Sequence, residues 1–169
     1  MAGFENHIGF NISSSKLQVV EVNYLGDQFK LVNVDETYFN DQIDFENDRE
    51  TKISALLQGA FDELLIKKNF NSNSASFTLP FELFYTMQMP YDTTLLYQDL
   101  LDEFKWELSV IYPYISTKNL VLQYFEIDKG PFNETSSALV FAVQRRYLQM
   151  LDKKKKKNNL KLKFIDNLH

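Results

Sequence analysis

Cysteine is absent from this 169-residue chain, so neither a disulfide framework nor a cysteine-held metal is available to it. Histidine is nearly absent. His7 and His169 stand at opposite ends, which excludes a histidine-rich zinc or catalytic cluster. Glycines (5) and prolines (4) are few, leaving little material for positive-φ turns or a glycine-rich phosphate cradle. No stretch approaches the roughly 18 uninterrupted apolar residues that a membrane span needs. Residues 1–7 carry no basic region followed by an apolar run, so they do not read as a signal peptide, and the expected address is the cytosol. Charge of one sign is also lacking in excess. Lys+Arg 18 against Asp+Glu 23 gives a net charge of -5, no electrostatic ground for general nucleic-acid affinity.

What is plentiful is apolar and aromatic: 44% hydrophobic residues, with 15 Phe and 9 Tyr. That suffices for a real core in one or two units. The opening forty residues read as an antiparallel meander. Glu5 to Ile12 is followed by Leu17, Val19 and Val22, and then by Phe29, Leu31 and Val34 alternating with polar neighbours. Ser13-Ser14-Ser15 and Leu25-Gly26-Asp27-Gln28 are the hairpin turns. An acidic stretch from Asn40 to Glu50 leads into a helix whose Ile53, Leu56, Leu57, Ala60, Phe61 and Leu64 share one face, with Asp48 as the expected N-cap.

Ala75 to Leu79 and Leu83 to Met89 read as strands closed by Pro80 and Pro90. A second helix is expected from about Thr93 to Val110, stacking Leu96, Leu100, Phe104 and Leu108, and ending at Pro113. Leu120 to Ile127 and Ser137 to Val143 pair across a Lys129-Gly130-Pro131 turn, and Ala138 to Val143 reads as buried on both faces. A third helix covers about Gln144 to Lys157, and Leu162 to Ile165 begins one more strand. The order is βββ-α-β, then β-α-β-β-α-β, an α+β chain with its best boundary between Pro80 and Phe84.

Five stretches resemble, in order, the PilM-like branch of the actin-like ATPase family, which is related to FtsA. Gly9-Phe10-Asn11-Ile12-Ser13-Ser14-Ser15-Lys16-Leu17-Gln18-Val19-Val20-Glu21 is similar to the family's opening G-L-D-I-G-S-S-S-I-K-V-V-E. Ser76 to Pro80 resembles its strand ending in S-L-P. Lys105-Trp106-Glu107 with Tyr112-Pro113-Tyr114 resembles R-W-E followed by Y-I-P-F. Leu139 to Val143 with Arg145 resembles V-L-L-V-A-A-R-K, and Leu160 to Asp166 resembles G-L-K-P-V-A-I-D.

The resemblance covers nearly all of the chain but about the first half of the family's length. It implies an actin-like (ribonuclease H-like) first lobe. Residues 1–82 plus 160–169 form a partial subdomain 1A, and residues 83–159 an inserted, SHS2-like subdomain 1C. The end at Ile165 to His169 then reads as the boundary of a fragment.

The resemblance also implies a nucleotide hairpin of the type D-x-G-[ST]. There the Asp helps hold hydrated Mg²⁺, the Gly admits backbone N–H groups to the phosphates, and a nearby Lys supplies positive charge. In this chain the hairpin is Asn11, Ser13, Ser14, Ser15 and Gln18. Asn drops the charge, Ser adds a side chain where the backbone must approach, and Gln is neutral where a cation should stand. Each lost charge-assisted contact costs roughly 1.5–3 kcal/mol, so two weaken binding by roughly a hundredfold or more. The reading is a degenerate phosphate hairpin with no cofactor in this chain, ATP and Mg²⁺ being left to a longer protein, and no metal site. The plainer alternative is a polar hairpin turn.

Other candidates read as structural. Asp99, Asp102, Glu103 and Glu107 lie opposite the apolar helix face, as a solvated surface does. Lys153 to Lys157 closes a helix, where cations suit its dipole, against the alternative of an anionic surface contact. His7 is a lone strand histidine, and Trp106 is expected in the core.

The functional expectation is a cytoplasmic scaffold of a pilus- or secretion-type membrane machine rather than an enzyme. It would sit peripherally at the inner membrane and bind a short cytosolic peptide of a PilN-like partner at the seam between the subdomains, with Tyr112 and Tyr114 as partner-binding residues. The alternatives are an ATP-binding actin-like switch or ATPase, or an FtsA-like division protein. Self-association is a further open partner.

Overall fold

The computed structural model describes residues 6–25, 28–127, 136–157 and 160–167. The strands are β1 (His7–Ile12), β2 (Lys16–Leu25), β3 (Gln28–Tyr38), β4 (Ser74–Leu79), β5 (Phe84–Pro90), β6 (Leu120–Ile127), β7 (Ser137–Gln144) and β8 (Lys161–Asn167). The helices are α1 (Glu50–Lys67), α2 (Tyr97–Ile111) and α3 (Arg145–Lys157). Short 3-10 turns cover Phe81–Leu83 and Thr117–Asn119. Glu5, Gly26, Asp27, the turn at 129–131 and His169 lie outside the described residues.

The chain divides into two units, Met1–Phe81 with Leu148–His169, and Glu82–Tyr147. In the first, a five-stranded sheet runs in the order β3-β2-β1-β4-β8. β1, β2 and β3 pair antiparallel, while β1–β4 and β4–β8 are parallel. Parallel neighbours need long crossovers. α1 lies in the crossover from β3 to β4, and α3 precedes β8.

Alternation does the sorting. Ile8, Phe10 and Ile12 on β1, Leu17 and Val19 on β2, and Ala75, Phe77 and Leu79 on β4 are all buried. Against them α1 lays Ile53, Leu57, Ala60, Phe61 and Leu64, the face anticipated by its spacing. Three rings meet at the centre: Phe10 is stacked on Phe77 at 5.2 Å and lies edge-on to Phe61 at 5.0 Å.

Glu21 continues the buried parity of Leu17 and Val19 and is 0% exposed. Its carboxylate accepts the backbone N–H groups of Asn71 (2.7 Å) and Ser72 (2.9 Å) and the side-chain amide of Asn33. One buried charge thus fastens the loop after α1 to β2 and β3, with donors enough to satisfy it. The sequence signal was a carboxylate at a core-parity position.

Several expectations shift. Asp48 does not cap α1. Arg49 stands at the N-cap with no side-chain cap bond, because the Asp48 carboxylate instead accepts the Asp44 N–H (2.9 Å) and pairs with Lys52 (3.0 Å). α2 starts at Tyr97 rather than near Thr93, because Asp92 accepts the Thr94 N–H (2.8 Å) and hydroxyl (2.7 Å) and closes a turn there. Leu96 is consequently outside the helix and 74% exposed. Phe29, Leu31 and Val34, which alternate with polar neighbours, are 58, 60 and 59% exposed, because they lie on the sheet face opposite the one that holds Leu17, Val19 and the core.

In the second unit the sheet order is β5-β7-β6, all antiparallel. Leu100, Phe104 and Leu108 of α2 pack with Met89, Leu120, Ala138, Val140 and Ala142. Only one face of β7 is fully buried. Leu139 and Phe141 on the other face are half-buried, so the expected two-sided burial does not occur. The changeover back to the first unit falls inside α3, at Leu148. Leu151 of α3 is buried, and Lys153 reaches Glu50 of α1 at 3.1 Å, contacts that group this stretch with the first unit.

Two stability outcomes follow from these cores. Glu21→Ala should cost about 3 kcal/mol, because it strands buried donors, and chemical denaturation with matched slopes measures it. Phe104→Ala should cost about 3–5 kcal/mol in the second unit through the cavity it leaves.

Candidate functional site

The Ser13–Ser15 turn joins β1 to β2, and the backbone N–H groups of Ser13, Ser15 and Lys16 are already taken. The Ser13 hydroxyl oxygen accepts the N–H of Ser15 (3.3 Å) and of Lys16 (3.1 Å), while its own O–H reaches the Lys16 carbonyl at 3.1 Å. The Ser13 N–H donates to the same carbonyl at 3.0 Å. A serine oxygen therefore occupies the donor end of the turn, where a phosphate oxygen would otherwise be received. From outside, the N–H groups of Phe39 and Ile43 hold the carbonyls of Ser15 (2.8 Å) and Ser14 (2.7 Å). The turn is braced on both sides.

The side chains beside it form a line across three strands. Asn11 Nδ2 donates to Gln18 Oε1 (3.0 Å), and Gln18 Nε2 donates to Glu36 Oε2 (2.9 Å). Lys16 Nζ bridges to the same Glu36 oxygen at 2.9 Å and lies 5.6 Å from the Tyr38 ring centroid. The structure thus brings Asn11 and Gln18 into direct contact, next to the self-bonded Ser13–Ser15 turn. Glu36 and Lys16 were not anticipated. Their signal was only that β3 aligns Glu36 with Gln18 and Tyr38 with Lys16.

The bridge sets the local protonation. The Lys16 ammonium holds the Glu36 carboxyl below its ordinary value, helped by the Gln18 amide, and Glu36 in turn raises Lys16. The nearest cation is committed to a carboxylate. Along the same face lies a hollow of about 490 Å³ lined by Gly9, Asn11, Gln18, Val20, Val34, Asp35, Glu36 and Thr78 among others. Asn11 Oδ1 is buried there without a partner. Acceptor oxygens and two carboxylates suit a donor-bearing or apolar occupant far better than an anionic phosphate. The phosphates of ATP fit this lining poorly. Among the described residues no group of three or more His, Asp or Glu is placed to hold a metal.

Tyr112 and Tyr114 both belong to the second unit. The Tyr112 ring lies 5.0 Å from that of Tyr85 and packs against the α2 core, while Tyr114, at 6.1 Å from Tyr112, is 78% exposed. Trp106, expected in the core, is 63% exposed on the outer side of α2, because the inward positions are Leu100, Phe104 and Leu108. Asp102 is exposed and pairs with Lys105 at 2.7 Å. His7 Nε2 lies 2.9 Å from Ser76 Oγ, tying β1 to β4.

No family model matches the sequence, and no curated protein matches it. Solved structures do match. A chain of the PilM-PilN type IV pilus biogenesis complex superposes with a TM-score of 0.62 at 16% identity, over 95% of this chain and 47% of that one. The fold is the PilM-like, actin-like one. The cytoplasmic domain of EpsL, an inner membrane component of the type II secretion system of Vibrio cholerae, matches at 0.57 and 10% identity, over 96% of this chain and 57% of that one. A Bacteroides thetaiotaomicron protein with an actin-like ATPase fold and unknown function also matches, at 0.48 and 10% identity, over 96% of this chain and 52% of that one. The chain therefore spans about half the length of the structures it resembles. No helix among the described residues is long and apolar enough to cross a membrane.

Titration calorimetry of the 169-residue chain with Mg-ATP should give a dissociation constant no tighter than about millimolar, because the turn donors are internally bonded and Lys16 is paired. In a longer protein carrying the rest of the fold, Asn11→Asp with Ser13→Gly and Gln18→Lys should raise nucleotide affinity. The bridge should also titrate. Because Glu36 is lowered from 4.5, its contribution is complete above that value and is lost as pH falls through the depressed pKa. Because Lys16 is raised from 10.5, its share is present below that value and lost as pH rises through the elevated one. The Gln18 side-chain amide resonances, followed by NMR, should move in the acid window and stay constant near neutrality.

Proposed function

We propose that this chain is the first-lobe portion of a cytoplasmic scaffold in a pilus- or secretion-type membrane machine. In this reading it binds a short cytosolic peptide of an inner-membrane partner of the PilN kind and is not an enzyme. The likeness of 95% of the chain to a chain of the PilM-PilN complex carries the proposal. The likeness to the EpsL cytoplasmic domain supports it, since that protein is an inner membrane component of a type II secretion system.

The hairpin adds independent support. A turn whose N–H groups are held by Ser13, beside a lysine held by Glu36, favours protein binding over nucleotide chemistry. Glu82–Tyr147, a three-stranded antiparallel sheet with α2, serves as the inserted SHS2-like subdomain in this reading. Tyr114 is the better contact residue of the two tyrosines, exposed and aromatic, whereas Tyr112 is half-engaged in its own unit's packing.

Fluorescence anisotropy with labelled cytosolic-tail peptides, taken from membrane proteins encoded beside this chain, tests the proposal. One peptide should bind saturably, and Tyr114→Ala should weaken it about tenfold. Tyr112→Ala should lower thermal stability as well as binding. Absence of binding by every tail overturns the proposal. So does binding that ignores both tyrosines yet disappears when the Lys153–Lys157 run is neutralised, which would indicate a polyanion contact.

A further inference from the structure

β3 is one of the two edge strands of the five-stranded sheet, and it is long, running from Gln28 to Tyr38. An edge of this kind presents unpaired backbone groups along one side, and proteins normally blunt it. Here it instead carries exposed apolar side chains, Phe29, Leu31 and Val34, at 58–60% exposure. Such a stripe marks an interaction surface.

The pairing with β2 fixes which side chains share a face. Val34 and Glu36 lie opposite Val20 and Gln18, and Asn33 and Asp35 lie opposite Glu21 and Val19. A bulge at Glu21/Val22 then shifts the register, so Leu31 lies opposite Val22, Lys30 opposite Asn23 and Phe29 opposite Tyr24. Phe29, Leu31, Val34 and Glu36 therefore share one face, and Lys30, Asn33 and Asp35 share the other.

We propose that two copies of this chain associate through β3, antiparallel and edge to edge, with Leu31 opposite Val34 and Lys30 opposite Asp35 of the second copy. The two-fold relation repeats each pair, giving two apolar contacts and two Phe29–Glu36 juxtapositions on one face and two ion pairs on the other. The register is selective. A slip of one residue sets Leu31 against Asn33 or Asp35, which lie on the opposite face. A slip of two residues in either direction separates both Lys30–Asp35 pairs, and in one direction also opposes Asn33 to Val34. The charge complementarity is that of the strand with itself, which is why the occupant is a second copy rather than a foreign strand. This inference does not depend on the proposed peptide-binding function.

A single edge pairing is a small interface between chains of net charge -5, so the dimer should be weak, on the order of 10–100 µM. Sedimentation equilibrium of the 169-residue chain from low micromolar to several hundred micromolar tests it, with circular dichroism to verify folding. Lys30→Glu should weaken dimerisation about tenfold, and Lys30→Glu with Asp35→Lys should restore it by exchanging the charges. Leu31→Lys should abolish the dimer, and as an exposed position it leaves the monomer folded, so the test holds even where Asp35→Lys disturbs Lys67 nearby. A chain that is monomeric throughout overturns the proposal. So does a dimer unchanged by Lys30→Glu and Leu31→Lys, or a double charge exchange that fails to recover association in a folded protein.

Discussion

The parallel pairing of β1 with β4 is the constraint on which the first unit depends. β1 has only six residues, yet it stands at the centre of the five-stranded sheet, with β2 on one side and β4 on the other. Its register, Ile8 to Ala75 and Phe10 to Phe77, stacks the two phenylalanines and presents both to Phe61 of α1. Because strand side chains alternate strictly, burying Ile8, Phe10 and Ile12 forces Gly9 and Asn11 onto the other face. The hollow, the amide line and the hairpin all inherit their position from that choice.

On that second face the chemistry is closed upon itself. Ser13 supplies from its own side chain the acceptor that the turn amides require, and Glu36 absorbs the charge of Lys16. The polar groups at the hairpin are thereby engaged in holding it. The cost of an unmade buried hydrogen bond explains the economy: a turn without a phosphate must satisfy its donors by some other means. Glu21 works on the opposite face in the same manner, a charge retained inside because backbone donors enclose it.

The element order, the apolar face of α1, the inward face of α2 from Leu100 to Leu108 and the five-part resemblance were all legible in the chain, since each rests on local spacing. What was not legible has a common cause. Phe29, Leu31 and Val34 alternate as buried strand residues do, but alternation reveals a shared face without revealing whether anything covers it. Leu96 continues the four-residue spacing of α2, yet Asp92 closes a turn on Thr94 and delays the helix. Asp48 has the right side chain for a cap and spends it on Asp44 and Lys52.

The sequence by itself determined which residues belong together along the chain: the α+β order, the absence of cysteine chemistry, and the polar run around Asn11, Ser13 and Gln18 between two apolar strands. Those properties follow from residue type and short-range period. Only the tertiary structure decided what those residues touch, because partners distant in sequence meet through strand register. Glu36 reaches Lys16 and Gln18 across β2 and β3, Glu21 holds a loop fifty residues away, and a bulge of one residue assigns Lys30 and Asp35 to a common face. Register is set by the pairing of whole strands over a core, and no local pattern within a single strand encodes it.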